Sequence, residues 1–177
     1  MDARTSKRQK RVSRKQEERM AEDLGGRAQP ASGALPGAKG DVRKFGVVRA
    51  EAKYTAKSSY ILKLSDLDKI IGEAGLDNAV LQLCFVDRAN RPVAEFAIYP
   101  MADTKTQLTF QQAADLQTFS ARTTIDRDRT ILKLMKKNIY IVFSKRQIDG
   151  STHHRWFCLH YWKDYLKTLE GAQCLRS

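Results

Sequence analysis

Two acids and a lysine carry the clearest chemistry in this chain: Asp41, nine intervening residues, then Glu51-Ala52-Lys53. Side chains two apart on a strand share a face, so Glu51 and Lys53 project to the same side of an extended segment. A turn at Gly46 would fold the preceding residues back and bring Asp41 beside Glu51. Two carboxylates meeting in this way form a hard-oxygen pocket for Mg²⁺, with Mn²⁺ as the alternative ion. The Ala52 carbonyl and waters would complete the octahedron. An ion held there polarises a phosphate and generates hydroxide from bound water at neutral pH. Lys53 would orient the attacking water or accept its proton, and would offset phosphate charge. Alone, the spacing is a weak signal, because an acid and a lysine on a strand commonly form a solvated ion pair.

The elements that must position these residues follow from periodicity. Met20, Ala21 and Leu24 give a short apolar stripe, which predicts a helix over about Ser13–Leu24 that Gly25-Gly26 stops. Residues 25–40 are rich in glycine and proline and read as a loop. Val42–Phe45 and Val47–Tyr54 read as two strands turning at Gly46. Ser65–Ala74 is expected to be a helix with Ser65 as its N-cap and Leu67, Ile70 and Ile71 as its buried face. Val80–Val86 and Val93–Tyr99 are further strands. Beyond them, helices are expected at Phe110–Phe119 and Asp128–Lys137, strands at Ile139–Phe143 and Arg155–Trp162, and a short terminal helix. The pattern predicts a mixed α/β domain over residues 13–100, preceded by a basic mobile arm at 1–12. Residues 101–177 are expected to be an extension packed on that core.

Composition narrows the partners. The 177 residues include 32 Lys and Arg against 20 Asp and Glu, a formal charge of +12. A surplus of that size on one domain favours a polyanion. Lys7, Arg8, Lys10, Arg11, Arg14 and Lys15 crowd the N-terminal segment, and Arg27, Lys39 and Lys57 flank the acids. All are candidates for contact with a phosphate backbone, which positions a protein without reading sequence. The three cysteines form no CxxC pair, and no apolar run is long enough to span a membrane, so a reducing cytoplasm is the expected setting. His153, His154, Cys158 and His160 lack paired zinc-ligand spacing. They read better as part of an aromatic-rich strand that packs through Phe157, Leu159 and Tyr161.

Gln16-Glu17-Glu18-Arg19, the Ala31-Ser32-Gly33 loop, Lys39-Gly40-Asp41 and Glu51-Ala52-Lys53, in this order, resemble the PD-(D/E)XK nuclease superfamily. Within it they are most similar to the archaeal-type Holliday junction resolvases and their bacteriophage relatives. The resemblance covers about residues 13–85 and departs from the family in having Gly40 where Pro is common. It implies a restriction-endonuclease-like mixed sheet flanked by helices and a homodimer working on branched DNA in a bacterial or phage-infected cell. It also implies that Asp41 and Glu51 ligate Mg²⁺, that Lys53 assists the water, that Ser32 sits beside the scissile phosphate, and that a helix acid joins the metal site. Glu17 is preferred as that acid because it lies two helical turns before Leu24, with Glu18 as the alternative.

Three competing readings remain at this level. A nuclease of the same fold could act on duplex, nicked or single-stranded DNA. A non-catalytic DNA-binding protein could use the basic segment alone, although the complete acid–acid–lysine set argues against it. RNA binding finds no supporting aromatic or GxxG motif. No feature suggests a small-molecule substrate or a membrane partner.

Overall fold

The computed structural model describes residues 3–29, 41–101, 116–137 and 139–174. Its helices are α1 (Ala3–Leu24), α2 (Leu64–Ala74), α3 (Arg127–Leu134) and α4 (Trp162–Cys174). Its strands are β1 (Arg27–Ala28), β2 (Val42–Lys44), β3 (Val48–Thr55), β4 (Ser59–Lys63), β5 (Asn78–Val86), β6 (Pro92–Pro100), β7 (Leu116–Thr118), β8 (Arg122–Asp126), β9 (Ile139–Arg146) and β10 (Thr152–Tyr161). Most of them form one mixed sheet in the order β1-β2-β3-β5-β6-β10-β9-β7, while β4 and β8 pair separately. The α/β class and a mixed sheet flanked by helices agree with the reading of the sequence.

The basic segment expected to be a mobile arm is the first half of a helix. Helix α1 reaches back to Ala3 instead of starting at Ser13. The added residues are mainly Arg, Lys and Gln, which lose little rotamer freedom in a helix, so once the apolar stripe anchors the C-terminal half the helix propagates backward. It stops as expected. Gly25 donates to the Glu22 carbonyl at 3.0 Å and Gly26 to the Ala21 carbonyl at 2.9 Å. A Cβ on Gly26 would meet the Arg43 carbonyl oxygen at 2.8 Å, so only glycine lets the chain leave α1 directly onto β2.

The hairpin β2–β3 is antiparallel with Val42 opposite Ala50, and Gly46 turns it with φ +72°. β3 then pairs in parallel with β5 through the crossover helix α2, with Glu51 opposite Leu81 and Lys53 opposite Leu83. Helix α2 begins at Leu64 after Lys63 and has no side-chain cap. Ser65, expected to cap it, lies inside the first turn, because β4 runs directly into the helix. The Leu64 N–H is satisfied instead by the Ala121 carbonyl at 2.8 Å.

Two apolar layers cover the sheet. On one face Met20, Ala21 and Leu24 of α1 pack with Val42, Val48, Ala50, Val80, Trp162 and Tyr165. On the other, Leu67 of α2, Leu62 of β4 and Ile125 of β8 meet Leu81, Leu83, Phe85, Phe96, Ile98, Phe143 and Phe157. Trp162 Nε1 donates to Asp23 Oδ2 at 2.8 Å and ties α4 to α1.

The C-terminal segment does not lie on the core as an extension. Strand β10 pairs with β6 over Phe157–Tyr161 and with β9 over Thr152–Leu159, so these strands continue the same sheet. The physical reason is edge satisfaction: β6 ending the sheet would expose a ladder of unpaired groups beside an apolar face. Leu116–Thr118, expected as part of a helix over Phe110–Phe119, forms β7 parallel to β9 and Phe119 lies in the bend after it, while residues 110–115 lie outside the described residues. Strands β4 and β8 were not anticipated. Each is short and buries few apolar side chains, which leaves too little alternation to read.

If the sheet is one cooperative unit, Phe157→Ala should destabilise the whole chain by about 3–5 kcal/mol. Urea unfolding followed by tryptophan fluorescence and far-UV circular dichroism should keep a single transition. Separate transitions, with the helical signal of α1 and α2 surviving the first, would show that residues 139–161 fold apart from the hairpin.

Candidate active site

Strand β3 alternates apolar and charged residues. Val48, Ala50 and Ala52 pack toward α1, while Arg49, Glu51 and Lys53 face α2. Asp41 lies one residue beyond the Val42–Ala50 end of the hairpin ladder, and its carboxyl is close enough to Glu51 to feel that charge. Asp41 is held by its own main chain. Its N–H donates to the Ala50 carbonyl at 3.0 Å, and its carbonyl accepts from Gln29 at 2.8 Å. Its Oδ2 accepts from the Ala52 N–H at 2.7 Å. Ala52, expected to offer its carbonyl to a metal, thus also fixes the first carboxylate through its amide.

Glu51 is only 8 % exposed. Its Oε1 accepts from Lys53 Nζ at 2.9 Å and lies 3.6 Å from Lys69 Nζ of α2. Burial tends to lower the pKa of Lys53, but the hydrogen bond and charge of Glu51, with Tyr60 and Asp41, outweigh it and leave the lysine above its ordinary value. Lys53 is therefore a cation at neutral pH, suited to orienting water and phosphate. Of the two roles expected for it, proton acceptance is the less favoured in the ion-free protein.

Asp41 shows the opposite imbalance. Burial, then the charge of Glu51, and more weakly that of Glu17, push its carboxyl up to about 6, against the Ala52 N–H and Lys53. The two lysines bond Glu51, and among the described residues Asp41 beside it has no salt bridge, so its carboxyl keeps the proton more readily. Two carboxylates with water suit the hard, incompletely dehydrated Mg²⁺ ion. Among the described residues there is no group of three or more His, Cys, Asp or Glu side chains arranged to hold a metal.

Glu17 on α1 is half-buried, accepts from Ser13 Oγ at 3.0 Å and is close enough to act on Asp41. Glu18 is exposed and pairs with Arg14 Nε at 3.0 Å. Of the two helix acids, Glu17 is the one brought to the pair. Ser32 and Lys39 lie outside the described residues, as do the side chains of Lys7, Arg8 and Lys10 on the first part of α1. Arg11, Arg14 and Lys15 are exposed along α1, Arg27 on β1, and Lys57 in the bend after β3.

Three participants had no signal linking them to Glu51. Lys69 reaches it only because α2 crosses over β3. Tyr60 of β4 comes close enough that burial, Asp66 and Glu51 raise its phenol while Lys53 opposes them. Gln16, one residue before Glu17, donates to the Lys53 carbonyl at 3.3 Å and to Gln82 Oε1 at 3.2 Å, so it pins α1 to β3 and β5.

The histidine-rich strand is otherwise engaged. His154 Nδ1 shares a 2.8 Å hydrogen bond with Ser144 Oγ, and His160 Nδ1 a 3.1 Å one with Tyr99 OH. Phe157 and Leu159 are buried beneath it. Cys84 is buried, and burial pushes its thiol up to about 12. Among the described residues no helix is long and apolar enough to cross a membrane. Comparison of the chain with protein-family models, with curated proteins and with solved structures gives no match.

Ionising Asp41 should cost stability in the metal-free protein. Its folded value of about 6 exceeds the ordinary 3.8, so the folded state holds the proton more tightly and stability falls as pH rises through that interval. Asp41→Asn keeps an oxygen for the Ala52 N–H and removes the charge. In EDTA near neutral pH it should raise the unfolding free energy by on the order of 2 kcal/mol and flatten the pH dependence between about 4 and 6. Urea unfolding across that range is the measurement. An unchanged variant would mean the carboxylates do not oppose each other.

Proposed function

We propose that this chain is a Mg²⁺-dependent DNA endonuclease acting on branched DNA as a homodimer. The observation that carries the reading is the closeness of the Asp41 carboxyl, held by the Ala52 N–H at the end of the β2–β3 hairpin, to Glu51, with Lys53 Nζ 2.9 Å from Glu51 on the same strand. The mixed sheet flanked by helices is the architecture that the resemblance to PD-(D/E)XK nucleases implies, and the charge of +12 suits a polyanion.

Asp41 and Glu51 would hold the ion through their carboxylates, with the Ala52 carbonyl, waters and Glu17 from α1 around it. Bound there, Mg²⁺ supplies Lewis acidity toward the phosphate and a lowered pKa for its water. The chain's own residues do the rest. The Lys53 ammonium orients the attacking water and offsets charge that grows on the phosphate oxygens as the P–O bond to the leaving oxygen breaks. Lys69, on the same side of Glu51, adds a second cation within reach of that phosphate. Exposed Arg11, Lys15, Arg27 and Lys57 bind backbone phosphates on either side of the cut. Branch selectivity arises from dimer geometry, since a two-fold dimer presents two sites to the equivalent strands of a four-way junction.

The test uses labelled four-way, flap, duplex and single-stranded DNA with Mg²⁺ or EDTA. Cleavage is expected with Mg²⁺ and strongest on branched DNA, and light scattering should give the mass of a dimer. Asp41→Asn and Glu51→Gln should each lower cleavage by about a hundredfold or more while DNA binding persists. Mg²⁺ should raise the melting temperature of the wild type and not that of Asp41→Asn, as for any ion that binds only the folded state. Full activity in either variant would sink the site. A monomer that cuts duplex or ends as fast as junctions would move the enzyme to the same-fold alternatives.

A further inference from the structure

Behind the carboxylate pair, on the α1 side of the sheet, lies a cleft of about 370 Å³ between that helix and the β5–β6 turn. Arg11, Lys15, Gln16, Arg19 and Tyr54 line it, with apolar Val12 and Pro92 in its walls. Its size falls in the range of ligand sites, at the small end. Arg11 and Lys15 are exposed cations spaced four apart, one helical turn, so they stand on the same side of α1.

The floor carries hydrogen-bonding groups without partners among the described residues. Gln16 is 6 % exposed, and its Oε1 has none. Arg19 uses Nη2 on Glu95 and on Cys84 Sγ, yet its buried Nε has none. An unmet acceptor and an unmet donor enclosed beneath a cleft rimmed by two cations, with an aromatic ring in the wall, form a coherent set. It matches a unit that bears a phosphate, a flat π face and a polar edge. That unit is a nucleotide.

Connectivity ties the cleft to the candidate active site. Glu17 approaches Asp41 while the preceding Gln16 lines the cleft, and Lys53 binds Glu51 while the following Tyr54 lines the cleft. Adjacent residues are about 3.8 Å apart along the chain. Both elements therefore contribute to the two places, with Tyr54 on the α1 face of β3 and Glu51 and Lys53 on the face toward α2.

We propose that this cleft receives one unpaired nucleotide of the bound DNA strand, with Arg11 and Lys15 on phosphate, Tyr54 stacked on the base, and Gln16 and Arg19 at its edge. The proposal rests on the reading of this chain as a DNA-handling enzyme, and it names an unpaired nucleotide as part of the substrate. A base inside a duplex cannot enter. Branched or single-stranded DNA supplies such a nucleotide at the least cost in unstacking.

The experiment measures binding in EDTA, so that it does not depend on cleavage. Fluorescence anisotropy follows a labelled oligothymidylate and a flap DNA over a range of salt, for the wild type, the double variant Arg11→Ala/Lys15→Ala, Tyr54→Ala and Tyr54→Phe. Arg11 and Lys15 are exposed, so their removal leaves the fold intact. The double variant should lower the magnitude of the log–log salt slope on oligothymidylate by about 0.7, the value for one phosphate. Tyr54→Ala should weaken binding about tenfold, and Tyr54→Phe should restore it, because stacking needs only the ring. A slope unchanged in the double variant, or Tyr54→Ala binding as the wild type does, overturns the proposal. So does thymidine monophosphate displacing the oligonucleotide at concentrations near that of the labelled strand, which would make the cleft a site for free nucleotides. Cleavage by the wild type in Mg²⁺, scored separately, reports on the nuclease reading; its failure would leave these binding results standing, and their failure would leave cleavage standing.

Discussion

Strand β3 is covered on both faces yet carries charge on one of them, and the rest of the structure is arranged around that constraint. A buried charge without a partner is among the most destabilising features a fold can hold. Toward α1 the strand offers Val48, Ala50 and Ala52, which need only apolar cover. Toward α2 it offers Arg49, Glu51 and Lys53. Arg49 donates to the Glu73 carbonyl near the end of α2, and Glu51 is met by Lys53 and Lys69. Helix α2 therefore supplies polar partners along one stretch and Leu67 and Ile70 along another. Among the described residues the acid without a salt bridge here is Asp41, at the margin of this charged row.

The hairpin that brings Asp41 to Glu51 is fastened from outside. Asp77, just before β5, accepts from Arg43 Nε at 2.7 Å and from the Gly46 N–H at 2.9 Å. The Asn78 side chain donates to the Val47 carbonyl at 2.7 Å. The turn between β2 and β3 is thereby locked onto the start of β5. This lock protects the register. A slip of one residue would send Glu51 and Lys53 into the apolar layer under α1 and put Ala50 and Ala52 against Lys69. The β2–β3–β5 unit is thus a frame that holds Asp41 near Glu51, where burial first and then the charge of Glu51 raise the Asp41 carboxyl.

Helix α1 has a double part in this frame. Its C-terminal half is glued to the sheet by Met20, Ala21 and Leu24, by Gln16 on Lys53 and Gln82, and by the Trp162–Asp23 bond from α4. The same turns that anchor it present Glu17 at the carboxylates and Gln16 and Arg19 in the neighbouring cleft. Farther back the helix is basic, and Arg11, Arg14 and Lys15 are exposed. A rigid helix carries positive charge from solvent to the edge of the site, where a flexible arm would have to be ordered on binding.

The residues in the chain by themselves decide a good deal. The nine-residue separation of Asp41 from Glu51 with glycine between them predicts a hairpin, and the hairpin forms. The alternation in 48–55 separates a buried face from a charged one, and the stripe Met20-Ala21-Leu24 marks the anchored half of α1. These are local properties, set by strand and helix periods and by turn chemistry. Tertiary structure alone decided what depends on distant segments meeting. That Lys69, Tyr60 and Gln16 surround the pair follows from crossings that no spacing encodes. Glu17 rather than Glu18 faces Asp41 because the rotation of α1 is set by what it packs on, while the polar run itself favours neither. The C-terminal strands join the sheet because the open edge of β6 needs a partner, and β10 satisfies it from some sixty residues away. Local chemistry writes the short-range geometry; packing and edge pairing, which act between segments far apart in the chain, complete the site.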